Sequence, residues 1–145
     1  MLRGGKAAGL FVGGLLVAGA AMLGGSGSAE ARPQYFLKGF VETYPDLKKE
    51  TGVQKCNVCH YGTKKTDRNN YGQAFGKTLS ELIEKNGGSE KERTNVKDLE
   101  KVKEALKKAE EEKSAVKDKT FGELIKDKKL PATGWEPPKK DLAKK

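Results

Sequence analysis

Apolar side chains recur three and four residues apart along most of the chain from Pro33 to Leu130, the spacing of one face of a helix. In PQYFLKGFVETYPDLKKETG, Phe36, Phe40 and Tyr44 stand four apart, with Leu37 and Val41 beside them. Pro45 interrupts this stripe, and Gly52 is the expected stop just ahead of the cysteines. NYGQAFGKTLSELIEKNGG predicts a longer helix with Tyr71, Phe75, Leu79, Leu82 and Ile83 on its buried face, Asn70 as N-cap and Gly87-Gly88 as its end. Gly72 and Gly76 weaken helix propensity in its first turns, but they leave room for a flat ligand or another helix to approach.

TNVKDLEKVKEALKKAEEEKSA repeats Val96, Leu99, Val102, Leu106 and Ala109 among alternating Lys and Glu, which predicts an amphipathic helix with a solvated face. Thr120 and Glu123 stand in capping-box register before Phe121, Leu124 and Ile125, so a last short helix is expected, ended by Leu130-Pro131. No strand run and no internal repeat interrupts this sequence of helices. The expected fold class is all-α, one small helical domain over residues 32–131. Residues 132–145, rich in Pro and Lys, are expected to form a mobile tail whose start docks through Trp135.

Residues 1–31 read differently. Arg3 and Lys6 precede an uncharged Gly/Ala/Leu/Val run and the small-residue site Ala29-Glu30-Ala31, the organisation of a secretory signal peptide. A retained membrane anchor is the alternative, since the apolar run approaches the lower limit for a spanning helix. Cleavage after Ala31 would leave residues 32–145 in an oxidising, extracytoplasmic or periplasmic compartment. Loss of Arg3, Lys6 and Glu30 takes the chain from 29 basic and 20 acidic residues to 27 and 19, a net charge of +8. That charge favours acidic protein partners or, peripherally, a membrane surface. Export argues against nucleic acid.

Both cysteines and the only histidine lie in CNVCH, Cys56 to His60. Structural zinc needs about four ligands, and no Cys or His remains to complete the set. An iron–sulfur cluster meets the same shortage. A thioredoxin-type dithiol uses C-x-x-C at the start of a helix after a strand, a context missing here, and a plain disulfide would close too small a loop to stabilise much. The remaining alternative is C-x-x-C-H as a haem attachment sequence. Two thiols about one turn apart can each add to a vinyl group of one haem, and the next side chain reaches the iron. Cys56 and Cys59 would then carry the thioethers, with His60 as proximal ligand. A porphyrin would also enlarge a small core, with Phe36, Phe40, Tyr71, Phe75, Leu79 and Leu99 as the expected packing partners.

With CNVCH after one helix and before others, in an export context, the chain resembles the small bacterial monohaem c-type cytochromes. The resemblance implies a cytochrome c-like helical domain packed around one covalent haem c, and an electron carrier rather than an enzyme, docking on acidic redox proteins. It also implies a methionine on the far side of the iron, where this sequence departs from the pattern. The only methionines are Met1 and Met22, both within the signal segment. The sixth position is therefore expected to be open, or filled by water, a lysine amine, a tyrosine oxygen or an asparagine. Tyr61, Tyr71, Asn69, Asn70, Lys64 and Lys65 lie near the motif, and the sequence selects none of them. An open site makes small-ligand binding or haem catalysis the alternative function, with thiol–disulfide exchange a further one.

Overall fold

A computed structural model describes residues 32–62 and 66–139. Residues 1–31, where a signal peptide is expected, Lys64, Lys65 and the end of the expected tail lie outside the described residues. Among the described residues six α-helices follow one another: α1 (Pro33–Thr43), α2 (Lys48–Gln54), α3 (Asn70–Lys85), α4 (Glu90–Thr94), α5 (Leu99–Ala109) and α6 (Phe121–Lys126), with 3₁₀ turns at Pro45–Leu47 and Lys55–Val58. Among the described residues there is no strand, only isolated bridges between His60 and Arg68 and between Lys113 and Thr120. The chain is all-α, as its periodicity predicts. None of the described helices is long and apolar enough to cross a membrane.

Helix α5 is the centre of the packing, with α1 and α3 laid against it. Its buried stripe, Val102, Ala105, Leu106 and Ala109, meets Phe36, Phe40 and Tyr44 from α1 and Tyr71, Phe75, Leu79 and Ile83 from α3 in one cluster. Burying a side chain of this size contributes about 1.5–3 kcal/mol, so these stripes, more than helix propensity, hold the elements. The α1–α5 crossing needs a glycine. A Cβ at Gly39 would stand 2.9 Å from Val102 Cγ1 and 3.3 Å from Leu99 Cδ1, so a larger residue requires these side chains or the helices to shift.

Several boundaries differ from the sequence expectation. Gly52 does not end a helix; it lies inside α2 on an open face, and the stop falls at Lys55, which adopts φ 47° and ψ −116°. The N-cap of α3 is Asn69, one residue before the expected Asn70, because Asn69 is extended and its side chain accepts from Gly72 N–H. Helix α3 closes as expected at Gly87-Gly88: Gly87 takes φ 69°, and Gly87 and Gly88 N–H donate to the carbonyls of Glu84 and Ile83. Helix α5 starts later than Val96, capped by Asp98, and the short α4 before it was not apparent from apolar spacing because none of its residues is buried. The Thr120–Glu123 capping box forms in full, but α6 ends at Lys126 rather than at Leu130-Pro131. Lys128 takes φ 58° there, and Lys129 N–H reaches back to the Leu124 carbonyl.

Candidate functional site

The motif sits in a tight turn between α2 and α3. The left-handed Lys55 redirects the chain out of α2, and the 3₁₀ turn Lys55–Val58 then carries Cys56 and is capped at its end by Cys59. Cys59 and His60 N–H both donate to the Cys56 carbonyl, at 3.2 and 3.0 Å, so the three candidate side chains share one turn of backbone. Neither cysteine is in a disulfide. Cys56 is partly exposed and Cys59 is buried, and burial pushes the Cys59 thiol far above its ordinary range, with nearby Arg68 opposing the shift.

The turn is tied to α3 by one side chain. Asn69 Nδ2 donates to the carbonyls of Asn57, at 3.3 Å, and Val58, at 3.1 Å, while its Oδ1 accepts from Gly72 N–H at 2.9 Å. Its backbone N–H donates to the Cys59 carbonyl at 2.9 Å. Asn69 therefore caps α3 and holds the motif at the same time. Gly72 completes the junction by letting α3 lie directly on the Cys59 backbone.

His60 is half-buried. Its Nδ1 lies 3.3 Å from the carbonyl of Asp67, which also accepts from Tyr61 N–H at 3.1 Å. A carbonyl can only accept, so Nδ1 bears the proton and a neutral ring keeps its lone pair on Nε2. A histidine metal ligand usually donates its other ring N–H to a carbonyl or carboxylate in this way, which fixes the tautomer and the ring orientation. Among the described residues, no group of three His, Cys, Asp or Glu is gathered as a site for a bare metal ion.

Donor chemistry and order thus fit a covalently held haem: two thiols on one turn, then an imidazole whose tautomer is set by the Asp67 carbonyl. The expected packing partners behave differently. Phe36, Phe40, Tyr71, Phe75 and Leu79 are all buried, but Phe36 packs on Phe40 and on Phe75 at centroid distances of 5.6 Å, and Phe40 on Tyr71 at 6.2 Å. These rings close on one another, so seating a porphyrin among them requires that they part.

Of the groups near the motif considered for the far side of the iron, Asn69 is committed to three hydrogen bonds and Asn70 Oδ1 accepts from Tyr71 N–H. Tyr61 packs on Trp135, with ring centroids 4.9 Å apart. The Tyr71 hydroxyl is buried with no hydrogen-bond partner of good geometry, although Tyr44 is close enough to bias its proton. Sequence reasoning missed the Asn69 clamp and the Asp67 carbonyl. The adjacent pair Asn69-Asn70 was a visible capping signal, but which of the two caps depends on the turn before it. No family model, curated protein or solved structure matches the chain.

Proposed function

We propose that the protein is an exported monohaem c-type cytochrome that carries electrons, with haem c bound through thioethers at Cys56 and Cys59 and His60 as the proximal ligand. The observation that carries this reading is the arrangement at the motif: C-x-x-C-H on a single turn, with the His60 Nδ1–H directed at the Asp67 carbonyl, which orients the imidazole and sets its tautomer. The bound group supplies iron that cycles between ferric and ferrous states. The chain holds and orients it: Asn69 and Gly72 fix the thiol turn on α3, and Asp67 sets the imidazole tautomer.

The surface beside the motif suits an acidic protein partner. Val53 is 74% exposed, with Lys48, Lys49 and Lys55 exposed around it in sequence and Glu50 the one acid among them. An exposed apolar side chain in a lysine-rich segment supports steering toward an acidic partner and a short-lived encounter.

Expression with a c-type haem maturation system tests the assignment. Haem retained through denaturation and acidified organic extraction is expected, and its retention in a Cys56→Ala/Cys59→Ala variant would sink it. Reversible ligand binding at an open sixth position is the second reading, favoured because residues 32–145 contain no methionine and the asparagines near the motif are engaged. A change in the ferrous spectrum on adding CO supports that reading, and a low-spin ferrous protein indifferent to CO excludes it.

A further inference from the structure

The single tryptophan lies 74 positions beyond Tyr61 in sequence, yet the two rings are in contact, with centroids 4.9 Å apart and planes tilted by 54°. We propose that Trp135 is a positioning residue for His60: residues 130–135 form a strap that presses the indole on Tyr61 and so holds the backbone pair that fixes the imidazole. The part of this inference that concerns iron rests on the cytochrome reading; the strap itself does not.

The strap is built to place one ring. Pro131 is buried, and Leu130 and Ala132 pack against the main core. Thr133 donates to the Leu130 carbonyl through both its N–H, at 2.9 Å, and its hydroxyl, at 2.6 Å, and Trp135 N–H donates to the Ala132 carbonyl at 3.1 Å. Gly134 between them takes φ 77°, and a Cβ there would stand 3.1 Å from Val116 Cγ2. Successive turns therefore reverse the chain and set Trp135 half-buried over the residue that follows His60.

That placement bears on the imidazole. His60 Nδ1–H and Tyr61 N–H share the Asp67 carbonyl, at 3.3 and 3.1 Å. The ring bond is slightly longer than an ordinary N–H···O bond, so its persistence depends on keeping Tyr61 and Asp67 opposite each other. A large aromatic contact on Tyr61 opposes the local opening that would separate them.

The test uses the full chain and reads His60 itself. Solvent exchange of the imidazole Nδ1–H, followed by ¹⁵N-resolved NMR, is expected to accelerate roughly three- to tenfold in Trp135→Ala, the factor set by losing one aromatic pair. Trp135→Phe should restore most of the protection. Tyr61→Ala removes the same contact from the other side, so the double variant should exchange no faster than the faster single variant. Unchanged exchange in Trp135→Ala with wild-type helicity, or strictly additive effects in the double variant, overturns the strap. In haem-loaded protein the iron–histidine stretching band should also shift in Trp135→Ala. A chain that never takes up haem yet shows the exchange effect refutes the cytochrome reading and leaves the strap standing.

Discussion

Gly72 lies directly on Cys59: a Cβ at this position would stand 2.1 Å from the Cys59 carbonyl oxygen and 3.1 Å from the Cys59 Cβ. The contact is with backbone, which has no rotamer by which to yield. Helix propensity alone favours Gly72→Ala by about 1 kcal/mol. The clash works against it, and the whole junction of α3 with the thiol turn has to move. Gly72→Ala is therefore expected to destabilise by at least about 2 kcal/mol in chemical denaturation and to lower the yield of haem attachment. A more stable variant would show that α3 does not rest on the motif.

Asn69 performs two tasks that its substitutions separate. Asn69→Ala loses the cap, worth about 0.5–2 kcal/mol, and strands the carbonyls of Asn57 and Val58. Asn69→Asp keeps a cap acceptor but turns a carboxylate oxygen toward those carbonyls. We expect Asp to recover none of the loss at neutral pH, measured by thermal unfolding of both variants. Full recovery would reduce Asn69 to an ordinary cap.

Lys55 bends the chain into Cys56 with φ 47° and ψ −116°, a conformation that suits glycine. Its side chain is exposed, so nothing but backbone strain is lost on replacement. Lys55→Gly is expected to leave stability unchanged or raise it by up to about 1 kcal/mol, in contrast to the cost glycine carries at most other sites.

Tyr44 and Tyr71 form a matched pair. The Tyr44 hydroxyl donates toward the Leu106 carbonyl, at 3.1 Å, and Glu110 Oε1, at 2.9 Å, whereas the Tyr71 hydroxyl has no such partner. Tyr44→Phe should cost about 1–2 kcal/mol, and Tyr71→Phe should cost less, because it removes a buried hydroxyl that has Tyr44 beside it but no well-formed hydrogen bond. Equilibrium denaturation of the two variants side by side decides this.

The same burial sets the alkaline limit. Desolvation raises the Tyr44 and Tyr71 hydroxyls and the Cys59 thiol well above their ordinary values. In the unfolded chain these groups ionise near their usual values, about 8.5 for a thiol and about 10 for a phenol, while the folded chain keeps its protons. The unfolded state then binds fewer protons, so stability falls as pH rises, by about 1.4 kcal/mol per pH unit for each group past its unfolded value. The haem-free chain should begin to weaken above pH 8.5. A chain with a thioether at Cys59 has no thiol proton to lose and should hold until about pH 10. Identical onsets in the two forms would show that Cys59 is not modified.

The sequence alone determined the helical class, because apolar spacing at three and four residues requires no partner to be read. The candidate donors were legible too, since both cysteines and the histidine share five positions and no methionine stands beyond residue 22. The Thr120–Glu123 box and the Gly87-Gly88 stop were legible because each acts within one turn of helix. What tertiary structure decided are the contacts that span the chain. Whether Asn69 or Asn70 caps α3 depends on which can reach the carbonyls of Asn57 and Val58, and whether Gly52 ends a helix depends on what surrounds it. The aromatic stripe read equally well as a haem wall or as a closed core. Only the meeting of α1 and α3 showed its rings packed on one another. Trp135 reaches Tyr61 through a strap fixed by Pro131, Ala132 and Gly134, and such a contact leaves no periodic trace, because it depends on where two distant backbones come to rest.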